Sequence, residues 1–266
     1  MRALLDFDAV GVATMMADAA RAVTLPLFRA GVFVDNKASR GYDPVTEADR
    51  AAERAMRDIL ARLRPDDAIV GEEYGVTEGC SGWTWYLDPV DGTRAFVAGL
   101  PVWTSLIGLV CADGDPVVGV IDQPILDQRY VGSPHGATLT ERDTESALCV
   151  STCSDLREAV ISTTDPFILS PAEQGAWTHL RHTARITRYG LDAFAYARLA
   201  GGTIDLVAEA GLQPYDMAAL LPVVRGAGGL ACDWRGQPAK LGDQLVCAAT
   251  PELLDQALLS LRRAAC

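Results

Sequence analysis

The sequence predicts a mixed protein of the α+β and α/β classes, in which an α+β half over residues 1–147 precedes an α/β half over residues 148–266. Two helical segments and a series of short β-type segments fill the first half, whereas strands and helices alternate through the second. The 266 residues are 49% hydrophobic and 22% charged. These values are typical of a globular protein with a buried core, not of a disordered or coiled-coil chain.

The first half begins with two predicted amphipathic helices. Apolar residues recur at helical spacing over residues 7–29 and again over residues 45–63. Asp43 and Pro44 predict the cap and the first turn of the second helix. The β-type segments that follow are residues 68–71, 83–87, 105–111, 116–121 and 129–131.

The second half alternates between predicted strands and predicted helices. The strands are residues 159–163, 186–189, 204–208, 229–232 and 245–248. The helices are residues 171–181, 193–199, 215–225 and 252–263. Such alternation is typical of an α/β arrangement.

The balance of charge excludes some classes of partner. The chain has 35 acidic and 23 basic residues and a formal net charge of −12. Nucleic acids and anionic membranes attract proteins with concentrated positive charge, so we expect neither as a partner. An anionic ligand would need positive charge supplied at its own site.

The sequence favours a cytoplasmic protein that does not cross a membrane. Its N-terminus, MRALLDFDAV, lacks the uninterrupted apolar core of a signal peptide. Residues 95–112 are uncharged over nearly the length of a membrane span, but Gly99, Pro101 and Gly108 interrupt them. A loop followed by a buried strand is predicted there instead. Seven cysteines, an odd number without a CxxC pair, are typical of free thiols in a reducing compartment.

The most informative segment is WYLDPVDGT at residues 85–93, where an apolar strand leads into two aspartates. Pro89 favours an extended conformation for Asp88, and a turn after it would bring Asp91 close. Both carboxylates would then project from the C-terminal edge of a sheet, where α/β proteins bind ligands. An ordinary turn has the same composition of Asp, Pro and Gly, so the segment alone leaves both interpretations open.

The residues after these aspartates are suited to phosphate. Gly92 lets a ligand approach the backbone closely. Thr93 would cap a short helix over residues 94–97 and leave free N–H groups at its start. Such N–H groups are the part of a helix that binds anions.

Further acidic residues lie at the ends of other predicted elements. Glu72 and Glu73 follow the strand in VGEEYG, and Asp216 stands in the first turn of the helix over residues 215–225. Taken singly, a solvated acidic loop explains the glutamates, and interaction with the helix dipole explains the aspartate. Neither position indicates a function by itself.

Asp49 falls within the apolar stripe of the helix predicted over residues 45–63. At about 100° per residue, its side chain projects on the same side as Val45, Ala52 and Met56. A carboxylate in such a position must be hydrogen-bonded, bound to a cation, or exposed at an open end of the helix.

Three segments together resemble the inositol-monophosphatase-like family of metal-dependent phosphomonoesterases. They are GEEYG, DPVDGT and PYDMAALLPVVRGAGG, which match in order the family's GEE strand end, DPxDGT turn and aromatic-Asp helix start followed by AGG. The resemblance covers nearly the whole chain, with Tyr215 where Trp is a common choice. Within the family, residues 119–132 and 189–216 are most similar to the histidinol-phosphate phosphatase branch.

This resemblance implies the layered αβαβα fold of sugar phosphatases such as inositol monophosphatase and fructose bisphosphatase. It also implies two or three Mg²⁺ ions per active site, a small phosphorylated substrate and a homodimer. Four converging carboxylates cannot all stay ionised without cations, because like charges raise one another's pKa. Two Mg²⁺ ions balance that charge and allow an acidic protein to bind phosphate.

The family's metal ligands carry over to five positions, most of them in the first half of the chain. Glu72, Asp88 and the Val90 carbonyl would hold one Mg²⁺. Asp88, Asp91 and Asp216 would hold a second. A third, weaker ion would be held by Glu72.

The other positions carried over surround the phosphate and the rest of the substrate. Gly92 and Thr93 would contact the phosphate. Asp49 together with Thr93 would orient the attacking water, so that the phosphoryl group passes directly to water without a protein nucleophile. Asp192 and Glu209 would contact the substrate beyond its phosphate.

The resemblance therefore implies a Mg²⁺-dependent phosphomonoesterase that hydrolyses L-histidinol phosphate in histidine biosynthesis. Hydrolysis of inositol 1-phosphate, or of a broad range of sugar phosphates, is an alternative, because Glu209 can accept hydrogen bonds from hydroxyls or from an amine. A regulatory protein that binds the transcription machinery without catalysis is an alternative from another class. The complete set of metal ligands and the acidic charge argue against this last function.

Overall fold

The structure is a computed structural model that describes residues 8–30, 34–36 and 44–265. Its described residues form seven α-helices and one short 3₁₀ helix. The α-helices are α1 (Ala9–Leu27), α2 (Glu47–Leu63), α3 (Thr93–Val97), α4 (Pro171–Thr183), α5 (Phe194–Ala200), α6 (Pro214–Gly226) and α7 (Pro251–Leu261). The 3₁₀ helix, Arg262–Ala264, follows α7 directly.

Fifteen strands of the described residues form three sheets. The strands are β1 (Val34–Asn36), β2 (Pro44–Thr46), β3 (Ala68–Gly71), β4 (Gly75–Thr77), β5 (Thr84–Asp91), β6 (Thr104–Val110), β7 (Pro116–Gln123), β8 (Gln128–Ser133), β9 (Gly136–Glu141), β10 (Thr144–Ala147), β11 (Val160–Ser162), β12 (Ile186–Arg188), β13 (Leu206–Leu212), β14 (Leu230–Cys232) and β15 (Asp243–Ala248).

Each large sheet is built from one half of the chain. An eight-stranded sheet has the order β10-β9-β8-β7-β6-β5-β3-β4 and is antiparallel except where β3 pairs with β5. A five-stranded sheet has the order β12-β11-β13-β15-β14, with β11 parallel to both its neighbours. Strands β1 and β2 form a separate antiparallel pair. The division of the chain into halves at residue 147 stays a prediction, although the strands change sheet there.

The two large sheets and three pairs of helices form five layers. Helices α1 and α2 pack on one face of the eight-stranded sheet, and α5 and α6 pack between the two sheets. Helices α4 and α7 cover the outer face of the five-stranded sheet. The order of layers is therefore αβαβα, as the family resemblance implies.

Alternating side chains along the strands divide the protein interior into separate cores. In β6, Leu106 faces the α5–α6 layer, whereas Ile107 faces α1 and α2. In β15, Leu245 faces the same middle layer, whereas Val246 faces α4 and α7. Both sheets are therefore apolar on two faces, as expected for sheets covered by helices on each side.

Most predicted elements are present with small shifts of their ends. Every helix and strand predicted from the sequence is found, with ends within four residues of those predicted. Strands β1, β2, β4, β9 and β10 were not predicted. All side chains of β4 and β10 are exposed, so these two lack the alternation that indicates a strand. In the uncharged residues 95–112, the end of α3 is followed by the predicted loop and by the fully buried strand β6.

The predicted start of α2 is wrong. Pro44 belongs to β2, and Asp43 lies outside the described residues. Thr46 is the N-cap, and its hydroxyl accepts a hydrogen bond from the Ala48 N–H. Asp49 completes a capping box by accepting from the Thr46 N–H at 2.8 Å. This reciprocal pair satisfies two N–H groups at the start of the helix and places its first turn after Thr46.

The predicted turn after Asp88 is also different in the structure. Strand β5 continues through Pro89 to Asp91, and its pairing with β6 shifts register between Asp88 and Asp91. Such a bulge bends a strand and changes the direction of its side chains without ending it. The two aspartates therefore lie at the end of one strand.

Helix α6 lies very close to the eight-stranded sheet because of a row of glycines. Gly108, Gly119 and Gly132 are paired neighbours on β6, β7 and β8. A Cβ atom at Gly119 would lie 2.1 Å from the Ala219 carbonyl oxygen, and one at Gly108 would lie 2.5 Å from the Ala218 carbonyl carbon. Only glycine leaves room for a helix backbone at this distance.

Helix α1 is long and apolar enough to cross a membrane by length and composition alone. The core helices of soluble proteins pass the same test. Its buried residues, which include Ala13, Met16 and Ala17, form one core with α2 and the eight-stranded sheet. The helix thus has a packing partner within the fold.

Candidate active site

Carboxylates from distant parts of the chain converge where β5 ends. Asp88 and Asp91 lie on β5, and Asp216 lies in the first turn of α6. One carboxylate oxygen of each residue lies within 4.8 Å of one from each of the others. The glycine row brings the start of α6 to this point, because it lets the helix rest directly on the sheet.

Asp88 is the most deeply buried of these acids. It is 3% exposed, and its Oδ1 accepts a hydrogen bond from the Val90 N–H at 3.1 Å. Burial raises the pKa of Asp88 well above its usual value, and the nearby carboxylates of Glu72, Asp91 and Asp216 raise it further. Glu72 thus lies next to Asp88, as the predicted ligand set requires.

Asp91 and Asp216 are held by backbone N–H groups. Asp91 Oδ2 accepts from the Ala193 N–H at 2.8 Å, and Asp216 Oδ2 accepts from the Gln213 N–H at 2.7 Å. Burial raises the pKa of Asp91 well above its usual value and that of Asp216 to about 7, although each backbone hydrogen bond opposes the shift. Their carboxylates therefore need a nearby positive charge to be ionised together at neutral pH.

The oxygen donors of this cluster fit a Mg²⁺ ion. Mg²⁺ prefers carboxylate and carbonyl oxygens, which these acids and the carbonyl of Val90, in the bulge between Asp88 and Asp91, can offer. Neither His nor Cys is part of the cluster. The chemistry of the donors thus favours a hard cation over a transition metal.

Asp49 is buried and hydrogen-bonded, which excludes the exposed position at an open helix end. It is 1% exposed, and its Oδ2 accepts from both the N–H and the hydroxyl of Thr46. Its Oδ1 lies 3.3 Å from the Thr93 hydroxyl, which is also 3.0 Å from the Val90 carbonyl oxygen. Burial raises the pKa of Asp49, against the effect of the Thr46 hydrogen bonds.

Thr93 does not cap α3, contrary to the prediction. Gly92 is the N-cap and adopts the left-handed conformation with a φ of 79°, and Thr93 is the first helical residue. The Thr93 hydroxyl is therefore free to contact Asp49 or the Val90 carbonyl. The positive φ favours glycine at position 92, and a Cβ there would also lie 3.1 Å from Asp192 Oδ2.

Asp192 and Glu209 extend the acidic cluster away from β5. Glu209 lies on β13 with 7% exposure and accepts from the Thr164 N–H at 3.0 Å and from the Thr164 hydroxyl at 2.9 Å. Burial raises the pKa of Glu209 to about 8 and that of Asp192 to about 6, with Arg94 opposing the shift at Asp192. Glu209 is thus not the exposed acid of a surface loop.

An open groove of about 580 Å³ adjoins Asp192. Its walls are mainly apolar and aromatic side chains, with charged groups at intervals. It is lined by Arg94, Ala95, Leu100, Thr164, Asp165, Pro166, Phe167, Arg181, Tyr189, Gly190 and Asp192. The groove offers space for a ligand group that extends from the acidic cluster.

Several residues of the site were not found from the sequence. Thr164 holds Glu209, the Ala193 N–H holds Asp91, and the Thr104 hydroxyl lies 3.3 Å from Asp91 Oδ2. A backbone N–H has no signature in the residue type, so no sequence signal could identify Ala193. The only sequence signal that Thr164 could belong to the site was its position directly after a predicted strand.

Comparison with known proteins agrees with this geometry. Residues 8–265 match the inositol monophosphatase family. The chain belongs to the inositol monophosphatase family. Its members are metal-dependent phosphatases, usually using Mg²⁺, so the protein is a phosphoric monoester hydrolase that acts on small phosphorylated substrates.

Family members with different names resemble this chain. It is 41% identical to the chloroplastic bifunctional phosphatase IMPL2 of Arabidopsis thaliana over 87% of this chain and 65% of that protein, so the chain spans just under two thirds of this relative. It is 36% identical to a histidinol-phosphatase of Mycobacterium tuberculosis over 96% and 98% of the two chains. Other relatives are named inositol-1-monophosphatase and Nus factor SuhB.

A solved structure confirms the fold of the family. An inositol monophosphatase from Zymomonas mobilis superimposes with a TM-score of 0.83 at 37% identity. The match covers 95% of this chain and 97% of that one. The five-layer arrangement is therefore that of an inositol monophosphatase throughout.

Proposed function

We propose that this phosphatase hydrolyses L-histidinol phosphate to L-histidinol and phosphate. The observation that carries the proposal is the pair of acids beyond the metal-binding cluster, the buried Glu209 and the half-buried Asp192. L-Histidinol phosphate has an ammonium group and an imidazole next to its phosphate, and a buried carboxylate binds such cations through charge-assisted hydrogen bonds. The similarity to histidinol-phosphatases supports the same substrate.

We propose the following metal ligands. Glu72, Asp88 and the Val90 carbonyl hold one Mg²⁺, and a third, weaker ion is held by Glu72. Asp88, Asp91 and Asp216 hold the second. When bound, the ions supply positive charge to the phosphate and activate a water molecule for direct attack on phosphorus.

The chain's own residues position the phosphate and the attacking water. Gly92 brings the backbone close to the phosphate, and the Thr93 hydroxyl contacts it. Asp49 and Thr93 orient the water, which the 3.3 Å separation of Asp49 Oδ1 and the Thr93 hydroxyl supports. Because Asp49 is buried and held by Thr46, its carboxylate keeps a fixed direction during the reaction.

The groove next to Asp192 is suited to the leaving group. Leu100, Phe167 and Tyr189 provide apolar walls for a flat ring, and Asp165 provides a second acid besides Asp192. The flat imidazole ring fits against these apolar and aromatic side chains, while Asp165 and Asp192 offset the charges of Arg94 and Arg181 in the same groove. The ring of inositol, which carries neutral hydroxyl groups, would make fewer favourable contacts with these side chains.

Two other functions remain as outcomes of the same test. Inositol-1-monophosphatase activity is favoured by the names of several relatives, and Glu209 can also accept hydrogen bonds from hydroxyls. A regulatory role without catalysis is suggested by relatives named Nus factor SuhB. Absence of turnover with every phosphomonoester would favour the regulatory role. The family resemblance also implies a homodimer, which the molar mass in solution would test. A cytoplasmic location is favoured by the N-terminal sequence and the cysteines, not by the resemblance.

Release of phosphate from L-histidinol phosphate and from inositol 1-phosphate tests the proposal. We expect the kcat/KM for L-histidinol phosphate to be the larger of the two. Glu209→Gln or Asp192→Asn should reduce this preference about tenfold or more, mainly through KM, since a hydrogen bond to a charged group contributes about 1.5–3 kcal/mol. Asp113→Asn, an exposed acid between β6 and β7, is the control. Equal turnover of both substrates by the unaltered enzyme would disprove the assignment.

A further inference from the structure

Tyr196 is a buried side chain whose hydroxyl has no hydrogen-bond partner. The residue is 1% exposed, and its hydroxyl makes no hydrogen bond with any described residue. A buried hydroxyl without a partner destabilises the folded state, so its retention calls for an explanation. Among the described residues, the other buried side-chain polar groups without a partner are the indole N–H groups of Trp103 and Trp177. Tyr196 therefore contributes the one hydroxyl of this set.

Tyr196 lies one helical turn from the acidic cluster. Its N–H donates to the Ala193 carbonyl at 3.0 Å, and the N–H of Ala193 donates to Asp91. Helix α5 contacts both β13, which carries Glu209, and α6, which carries Asp216. The Tyr196 ring is part of the core between these two elements.

Glu209 has one carboxylate oxygen that lacks a donor. Thr164 donates both its hydrogen bonds to Oε1, and Oε2 accepts none from the part of the chain that the structure describes. Burial raises the pKa of the Tyr196 hydroxyl well above its usual value, and Glu209 is the neighbouring charge that raises it most. Val207, which lies on the same face of β13 as Glu209, belongs to the same core as Tyr196, so the side chains of Tyr196 and Glu209 both face the layer between the two large sheets.

We propose that Tyr196 is a positioning residue for Glu209, and that its hydroxyl donates to the Glu209 carboxylate when the cationic leaving group of the substrate binds there. The inference rests on the proposed function, in which Glu209 faces that leaving group. An ionised carboxylate in a buried site needs hydrogen-bond donors, and Thr164 supplies them to one oxygen only. The unpartnered hydroxyl of the free protein keeps the missing donor in place.

Tyr196→Phe removes the hydroxyl and keeps the ring. We expect the KM for L-histidinol phosphate to rise about tenfold, because a hydrogen bond to a charged group is lost, while kcat changes less than about twofold. The KM for ethyl phosphate, which has no group that reaches Glu209, should be unchanged. The melting temperature should not fall, since the removed hydroxyl has no partner in the free protein.

Tyr130→Phe is the matched control. Tyr130 is also fully buried, but its hydroxyl donates to Gln128 Oε1 at 2.8 Å and accepts from Arg198 Nη1 at 3.2 Å. This variant should lower the melting temperature and leave both KM values unchanged. Tyr196→Phe should therefore raise KM without lowering the melting temperature, whereas Tyr130→Phe should lower the melting temperature without changing KM.

A double-mutant cycle separates positioning of Glu209 from a general effect on the core. In the Glu209→Gln background, Tyr196→Phe should change KM less than about twofold, because the charged acceptor is already absent. An unchanged KM in Tyr196→Phe alone, or equal effects in both backgrounds, would overturn the inference. If the unaltered enzyme prefers another phosphomonoester, the proposed function fails, and the same cycle on that substrate still measures the coupling of the two residues.

Discussion

Asp49 takes part in two interactions with different consequences. Its Oδ2 caps α2 through Thr46, and its Oδ1 lies next to the Thr93 hydroxyl. The first interaction contributes to stability, and the second is the one that would act on the attacking water. A single substitution can therefore separate a structural role from a catalytic one.

We predict that Asp49→Asn lowers kcat about a hundredfold and changes KM little, because an amide cannot accept a proton or orient water as the carboxylate does. The weakened capping box should cost about 1 kcal/mol of the free energy of unfolding. Steady-state kinetics and thermal unfolding measure the two effects. Glu173→Gln makes the same chemical change in the capping box of α4, and it should leave kcat unaltered. A normal kcat in Asp49→Asn would remove the residue from the reaction.

Single residues were predictable from sequence where their type was incompatible with their position. Asp49 in an apolar stripe required a partner, and the structure supplies Thr46 and Thr93. The contact of Asp91 with the Ala193 N–H and that of Glu209 with Thr164 were not predictable. Each joins positions far apart in the chain, and only the fold brings them together.

Helix α6 is the element on which the geometry of the site depends. It carries Asp216, yet its height above the eight-stranded sheet is set by glycines on β6, β7 and β8 that do not touch the site. A helix pushed away from these strands would take Asp216 with it. Residues remote from the chemistry thus determine the spacing of the carboxylates.

Gly119→Ala tests this dependence. The added methyl group would meet the Ala219 carbonyl oxygen, so α6 must move, and overpacking of this kind costs about 1–3 kcal/mol. We expect a lower melting temperature and a kcat reduced about a hundredfold, as for a catalytic group displaced by about 1 Å. Gly175→Ala in α4 is the control, because no atom lies within 4 Å of the added Cβ and alanine favours a helix. Unchanged stability and activity in Gly119→Ala would show that α6 does not need the glycines.

Helices and strands were predictable where the apolar periodicity was strong. They were less predictable where local hydrogen bonds determine where an element begins or bends. The apolar spacing of residues 45–63 indicated α2, but its first turn depends on the side chains of Thr46 and Asp49. The bulge of β5 was predicted as a turn, because Asp, Pro and Gly occur in both. Exposed strands such as β4 and β10 carry no alternation and left no signal.

The whole molecule concentrates negative charge in one buried site, and this couples its stability to pH and to Mg²⁺. Burial raises the pKa of Asp192 to about 6, of Asp216 to about 7 and of Glu209 to about 8. These pKa values exceed those of the same acids in an unfolded chain, which are about 4. At a pH between the unfolded and the folded values, the metal-free folded state therefore binds more protons than the unfolded state. The stability gained from this protonation is complete below the unfolded-state pKa values of about 4, and it is lost as the pH rises from there through about 6 to 8.

We predict that the melting temperature of the metal-free protein falls between about pH 5.5 and pH 8.5, and that Mg²⁺ raises it more at the higher pH. The reason is that Mg²⁺ binds ionised carboxylates and competes with protons for them. Differential scanning fluorimetry with and without Mg²⁺ at both pH values measures this. Asp91→Asn should show a smaller response to Mg²⁺, whereas the exposed Asp113→Asn should match the unaltered protein. An equal response at both pH values would contradict a carboxylate metal site.

At the scale of the whole molecule, composition and periodicity predicted two halves of different character, and the family resemblance predicted their assembly into five layers. Periodicity alone could not show that α5 and α6 from the second half pack on the sheet of the first. That contact buries residues such as Leu106 and Tyr130 against a helix that lies much later in the chain. Packing over such distances leaves no local pattern in the sequence.

The position of α6 also has a consequence for synthesis of the protein. The eight-stranded sheet is complete in sequence at Ala147, but the helices that cover its second face, α5 and α6, follow only after β11, α4 and β12. Helices α1 and α2 cannot cover that face, since they occupy the other one. A ribosome releases the N-terminal part first, so the nascent chain presents a broad apolar sheet surface while the second half is still being made. Such a surface is a binding site for chaperones and a starting point for aggregation when translation stalls.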